Sequence, residues 1–195
     1  MSTTVRSVTA NEVPAIAVSL AKAFHDDPVF AALFGGPVPQ RRATRFFEIM
    51  AALQLRHQHV YRTEGSEAAA IWTPPDAWKT PVAAIVRNAP GLMWVLGRRV
   101  FASLSILTTL ERHHPAEPHY YLEFLGTAPE HQGRGLGGQL LTPMMQRCDD
   151  EGVGAYLESS KESNLAFYRR YGFEVTEVIT HRAGVQQWLM WREPH

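Results

Sequence analysis

The stretch APEHQGRGLGGQLL, residues 128–141, places Gly133, Gly135, Gly137 and Gly138 within six positions and runs directly into an apolar segment. Glycines this dense let a backbone come close to a ligand. A helix opening behind them aims unpaired N–H groups and its dipole at one point, and phosphate suits such a site. Three phosphates compete. A nucleoside triphosphate needs Lys-Ser or Lys-Thr after the last glycine, and Gln139-Leu140 stands there instead. A dinucleotide is matched literally by Gly133-x-Gly135-x-x-Gly138, with Glu158 twenty positions further on to meet a ribose. Against it, Pro129-Glu130-His131-Gln132 separate the glycines from the preceding strand, and only 37 residues follow Glu158. The third is the pyrophosphate of coenzyme A, for which a strand ending in Pro, then Gln132 and Gly-x-Gly-x-Gly, supplies several consecutive backbone donors.

Other residue sets could carry chemistry. Asn164 and Tyr168 are four apart in SNLAFYRRYG and share one face of a short helix. The same spacing also fits a tyrosine buried as a core aromatic beside Phe167 and Phe173. Glu123 lies in HYYLEFLGT, where strand alternation sets it on the side of Tyr121, Leu125 and Thr127. Buried there, its pKa is expected to rise toward neutrality, which suits a base. Asp26 and Asp27 in FHDDP are carboxylates able to meet a cationic amine, or simply a helix stop. HHPAEPH (113–119) gathers three histidines and Glu117, but its two prolines and irregular spacing argue against zinc, so no metal is expected. A histidine there is a candidate proton relay, Glu158 is expected to be structural or near the acceptor, and Cys148 to be core.

These residues must be held by a scaffold, and the chain suggests one. TVRSVT (4–9) alternates as a strand; residues 10–24 are apolar at helical spacing and stop at HDDP. GGPVP (35–39) is a loop, 41–58 a second helix, and 59–75 two strands turning at Glu64-Gly65-Ser66. Residues 81–112 read as a helical insert broken near Pro90-Gly91, and 119–129 as a strand ended by Pro129. A helix carrying Leu140, Leu141, Met144, Met145 and Cys148 on one side follows, with Pro143 expected to bend it or remove a bond. Then come a strand at 155–159, a helix at 163–172 stopped by Gly172, and a hairpin of 173–182 and 185–193 across Ala183-Gly184. The order is β-α-α-β-β-(helical insert)-β-α-β-α-β-β, an α/β domain with a mixed sheet, read as one domain over 1–195.

Bulk properties narrow the partners. Lys+Arg and Asp+Glu are both 19, so the net charge is +0 and there is no basic footprint for nucleic acid. A single cysteine excludes an internal disulfide and fits the cytoplasm. MSTTVRSVTANEV has neither a basic start nor an apolar core, so no signal peptide is expected. The apolar run 90–110 is cut by Arg98 and Arg99, so no membrane span is expected.

LGTAPEHQGRGLGGQLL resembles motif A of the GNAT superfamily of acetyl-CoA-dependent N-acetyltransferases, and YLESSKESNLAFYRRYGFE carries Asn164, Tyr168 and Gly172-Phe173 where that superfamily's second motif has them. AAAIWTPP followed by HHPAEPHYYLEFLGTAPEHQGRGLGGQLL is similar to the puromycin N-acetyltransferase branch from about residue 68 onward, whereas the N-terminal third and 81–112 resemble it only in pattern. The resemblance implies that Leu122 to Thr127 pair with the pantetheine arm of acetyl-CoA, with an N–H near Leu125 as oxyanion donor and Gly126 leaving room for the arm. It implies that Gln132, Gly133, Arg134, Gly135, Leu136, Gly137 and Gly138 hold the pyrophosphate. Tyr168 would protonate the departing thiolate, and Asn164, with Phe167 beside it, would meet the arm. Counted back from Gln132, the family's best-known glutamate aligns with Tyr121, so Glu123 stands one pleat nearer the thioester as candidate base. The acceptor expected is a small amine with an apolar or aromatic body, antibiotic- or metabolite-like. It would be met by Asp26, Asp27, Trp72 and Tyr121 and by an apolar-aromatic pocket of Trp94, Leu96, Phe101, Leu104, Ile106 and Leu107 from the insert with Trp78 and Phe24. The chain is expected to act as monomer or homodimer. A silent acyl-CoA-binding sensor and, more remotely, a dinucleotide-dependent oxidoreductase stay open.

Overall fold

The computed structural model describes residues 4–181 and 184–195. The first three strands of the sheet pair with their neighbours in sequence or across one hairpin. β2 (Val60–Arg62) and β3 (Ala68–Thr73) are the expected hairpin, and β1, reduced to Arg6–Ser7, lies antiparallel on β2. β3 pairs antiparallel with β4 (His119–Thr127), and β4 pairs parallel with β5 (Gly154–Ser159). β7 (Gln186–Arg192) inserts between β5 and β6 (Glu174–Thr180), giving the seven-stranded mixed order β1-β2-β3-β4-β5-β7-β6. Ala183, half of the expected last turn, lies outside the described residues.

Helices cover both faces. On one face α1 (Val13–Ala23), α2 (Pro28–Phe34), α3 (Gln40–Gln54) and α4 (Val82–Leu96) bury residues such as Ile16, Leu20, Phe30 and Phe47 with Ile71 of the sheet. On the other, α6 (Leu136–Glu151) and α7 (Leu165–Arg169) bury Leu140, Leu141, Met144, Leu165 and Cys148 against Ala70, Trp72, Leu122 and Leu157. α5 (Val100–His113) sends Leu110 to a third, small cluster around Tyr156, Ile179 and Leu189. Among the described residues no single helix is long and apolar enough to cross a membrane.

Two expectations are corrected. FHDDP ends α1, yet it also starts α2: Asp27 accepts from Phe30 N at 2.9 Å, Pro28 takes the first helical turn, and Gly35 at φ 78° ends it. The insert does not break at Pro90-Gly91. Pro90 sits inside a continuous α4, which ends at Gly97, φ 53°, and the stretch Val82–Arg99 is bent by 105° from Ser103–His113. Pro143 likewise lies inside an unbroken α6, and Gly172, φ 86°, closes the turn after α7 as expected.

Candidate active site

The site exists because β4 and β5 pair over only part of their length. Their parallel register runs from His119–Gly154 to Leu122–Leu157 and stops there, although β4 continues to Thr127 and β5 to Ser159. Beyond that point the strands splay into a cleft of about 650 Å³. On the other edge of β4 the register slips at the same place: Trp72 opposes Leu122 and Ile71 opposes Phe124, so Glu123 is the extra residue of a β-bulge. The bulge breaks the alternation expected from sequence. Phe124 packs toward the α1–α3 face and Leu125 toward α6, so Leu125 does not share a side with Tyr121 as simple alternation required.

The glycine segment forms the cleft's floor. Gly133 and Gly135 hold φ 76° and 75°, and a Cβ on either would meet nothing within 4 Å, so the backbone there is bare toward the opening. Gly135 caps α6, and Gln139 N is the first to find an intrahelical acceptor, Gly135 O at 3.1 Å. The amides of Leu136, Gly137 and Gly138 are thus without helical partners at the positive end of a 16-residue helix. Gln132 donates to Thr127 O at 3.2 Å, tying this segment to the end of β4. These residues fit a pyrophosphate. Arg134 departs from expectation: it is exposed and does not line the cleft. Gly126 lines the cleft, and its missing Cβ would stand 2.8 Å from that of Ala23. Glycine there also lets α1 sit down on β4.

Across the cleft Asn164, Phe167 and Tyr168 all line the opening. Tyr168 is 9% exposed and packs against Phe167 and Phe173: it is a core aromatic with a face on the cleft. Burial, and then the charge of Asp27, push its phenol well above the usual range, so it remains a proton donor. Asp26 and Asp27 line the cleft but already have partners. Lys161 Nζ lies 2.6 Å from Asp26, and buried Asp27 caps α2 while accepting from the Ser160 hydroxyl. Burial raises the Asp27 pKa, whereas Lys161 lowers that of Asp26.

At the deep end sit two carboxyls. Glu123 Oε1 accepts from the Thr73 hydroxyl and from the Gln54 amide, partners on β3 and at the end of α3 that hold the bulge residue still. Burial raises Glu123 to about 7 against the pull of those donors, and the charge of Glu158 adds to the rise. Glu158 accepts from the Tyr121 hydroxyl at 2.7 Å and the Tyr156 hydroxyl at 3.1 Å, and burial raises it to about 7 as well. Tyr121 is therefore a partner of Glu158 and does not line the cleft. His114 stands 3.9 Å from Glu158, stacked under Trp78 at 3.8 Å, and its Nε2 meets Nε2 of His119 at 3.0 Å. Among the described residues no group of three or more His, Cys, Asp or Glu could hold a metal ion.

Among the described residues the insert, expected to supply an aromatic acceptor pocket, contributes nothing to the lining of the cleft; Phe101 and Leu104 border a separate pocket of about 370 Å³ with Thr180 and His181. Trp72 is fully buried under α6, with the residues of β3 alternating between the two faces, and it does not line the cleft. Trp94, Phe101, Leu104 and Leu107 are half exposed or more and line no part of the cleft, while Leu96 and Ile106 are buried. Of that expected set only Phe24 reaches the opening. Thr73 and Gln54 were missed by sequence reasoning, because a bulge leaves no local signal that could have found them.

A mixed sheet opened at one parallel seam, with a glycine-capped helix beneath the opening, defines an acyltransferase of the coenzyme A type. Residues 57–173 match the family described as Acetyltransferase (GNAT) family, and the chain belongs to it. It is an N-acetyltransferase, and its family uses acetyl-CoA. The chain is 28% identical over 189 residues to an uncharacterised N-acetyltransferase of Schizosaccharomyces pombe, covering 89% of this chain and 75% of that one. Among solved structures it is similar to a histone acetyltransferase HPA2 and related acetyltransferase from Corynebacterium glutamicum, with TM-score 0.72, 26% identity and coverage of 100% and 98%. A Drosophila melanogaster polyamine N-acetyltransferase, which forms N-acetylagmatine, shares the fold with TM-score 0.70 at 18% identity, covering 97% and 99%.

Proposed function

We propose that the chain transfers an acetyl group directly to the amine of a small acceptor, with Glu123 as base and Tyr168 as acid. The observation that carries this is the placement of the bulge carboxyl and the Tyr168 phenol on one cleft whose floor is the bare α6 N-terminus. Acetyl-CoA, when bound, supplies the thioester that an amine attacks. The amides of Leu136 to Gly138 hold its pyrophosphate, and Gln132, by fixing the segment to Thr127 O, keeps those amides in line with β4. The free edge of β4 from Leu125 to Thr127 offers backbone groups to the pantetheine arm, and Asn164 and Phe167 face the same arm. The N–H near Leu125 meets the developing oxyanion. Glu123, held near neutrality, removes one proton from the ammonium; Tyr168 donates to the leaving sulfur, and the second proton that the nitrogen loses as the amide forms returns to the Tyr168 oxygen.

The acceptor class follows from the deep end. Two carboxyls lining the cleft attract a cationic amine, and Phe24 gives its body one apolar wall. The likeness to the puromycin branch and the agmatine-forming neighbour support a small-molecule acceptor over a protein tail. On the same reading the chain acts as one domain, in the cytoplasm, as monomer or homodimer, without metal, membrane or nucleic acid. Calorimetry of acetyl-CoA and NADH against wild type and Gly135→Glu tests the site, followed by a panel of primary amines with thiol detection. Micromolar binding of acetyl-CoA alone, lost in the variant, and thiol release with an amine are expected. Binding of NADH alone overturns the coenzyme assignment; acetyl-CoA binding without thiol release from any amine makes the chain a silent sensor.

A further inference from the structure

The buried carboxyl on β5 has no part in the reaction just described, yet its surroundings are built for holding a proton. Glu158 is 5% exposed and His114 2% exposed in their side chains. The hydrogen bonds around them fix one arrangement of protons. Glu117 O can only accept, so His119 Nδ1, 2.6 Å away, carries the hydrogen and His119 Nε2 is a lone pair. His114 Nε2, 3.0 Å from it, must then donate, which leaves His114 Nδ1 as a lone pair turned toward Glu158 Oε1. Burial, with His119 and Lys79 adding to it, lowers His114 to about 3, so it stays neutral and forms no ion pair. A lone pair facing an ionised carboxylate repels it, in keeping with the 3.9 Å gap; a proton on Glu158 turns the same contact into a hydrogen bond.

Glu123 accepts from two donors as Glu158 does, but Arg56 adds a positive charge there, where Glu158 has the His114 lone pair beside it, so the ionised form is favoured at Glu123. We propose that Glu158 and His114 are positioning residues for the base: Glu158 holds the one proton the two carboxyls share, against His114 Nδ1, so that Glu123 stays ionised to receive the acceptor's ammonium. The step that follows is balanced: the ammonium gives one proton to Glu123, leaving a neutral amine and a neutral carboxyl, while Glu158 keeps its own. The groups acting on Glu158 are Tyr121 and Glu123 of β4, Tyr156 of its own strand, and His114 from the segment after α5. His119 and Lys79 act on it through His114, and Glu177 of β6 through Tyr156. This inference rests on the acetyltransferase reading only for its consequence in turnover.

The test is a carbon-13 titration of glutamate carboxyls in the free protein, with a pH–rate profile beside it. In Glu158→Gln, whose amide stands in for the held proton permanently, the Glu123 resonance is expected to titrate at the pH it has in wild type, and the acidic limb of kcat/KM to stay with it. In His114→Leu the proton loses its acceptor and returns to Glu123, so that limb moves to higher pH; His114→Asn, with an oxygen near the Nδ1 position, restores it. A Glu123 titration moved to lower pH in Glu158→Gln, or left unmoved in His114→Leu, overturns the pairing, because Glu158 would then not be the carboxyl that holds the proton. Turnover lost as completely in Glu158→Gln as in Glu123→Gln overturns it also, by making Glu158 the base. Absence of thiol release by wild type with every amine overturns the acetyltransferase reading instead, and the carboxyl titration still decides the pair.

Discussion

Replacing Glu123 by Gln is expected to make the protein more stable in alkaline solution while disabling it. The carboxyl is raised from 4.5 to about 7 in the fold by burial. At about 1.4 kcal/mol per pH unit, a rise of that size means that ionising the buried group costs about 3 kcal/mol. The sign follows from the direction: the folded chain binds this proton more tightly than the unfolded chain, so the cost is absent below 4.5 and complete above about 7. Gln keeps an oxygen for Thr73 and Gln54 and never ionises. Urea unfolding at pH 5 and pH 9 should therefore show the two proteins close together at the lower pH. At the higher one the variant should lead by about 3 kcal/mol, or about 6–12 °C in Tm for a chain of this size. Glu158 shares the cleft, so part of this gain is relief of repulsion between the carboxyls, and the gains of the two single Gln variants will not add. Over the same range kcat/KM for the amine should fall by about 10²–10⁴-fold. An advantage equal at both pH values would refute the reasoning, because the carboxyl would then carry no ionisation cost.

Tyr168→Phe should lower kcat by about 10²–10⁴-fold with little change in acetyl-CoA affinity by calorimetry, since the ring's packing is retained and only the donor is lost. Asp27→Asn keeps an effective cap for α2 but removes a charge that acts on Tyr168; carbon-13 titration of tyrosine should show that phenol ionising at lower pH. Gly135→Ala forces a side chain to φ 75° and should cost about 1–3 kcal/mol in urea unfolding and weaken acetyl-CoA binding.

The coenzyme half of this molecule was legible because its signals are local. A proline, a glutamine and glycines at fixed spacing announce a strand end, a left-handed turn and a helix start within a dozen residues. The short α7 helix bearing Asn164 and Tyr168 announces itself in the same way. The acceptor half was misread wherever it depended on contacts between distant segments. Trp72 alternates to the wrong face for a cleft, and Trp94 of α4 and Phe101 of α5 are exposed away from it. Asp27-Pro28 was legible as a stop but equally encodes a start, since a cap followed by proline serves both purposes. Glu123 was found, but for an incomplete reason. Strand alternation cannot foresee a bulge, and the bulge sets the carboxyl where Thr73 and Gln54 grip it.

The parallel ladder from His119–Leu122 to Gly154–Leu157 is the seam between two leaves of the sheet, β1–β4 and β5–β7–β6. One leaf carries Glu123 and the other is followed by Tyr168, so the proposed base and the proposed acid belong to different leaves and meet only where these separate. Straps cross the gap from the far side: Ser160 to Asp27 and Lys161 to Asp26 fasten the outer end of β5 to the corner of the N-terminal helices. The opening is thus braced at both ends like a drawn bow. Loosening either strap widens the span between proton taker and proton giver without touching a residue that handles a proton. Variation at this corner can in this way tune the rate while the chemistry stays the same.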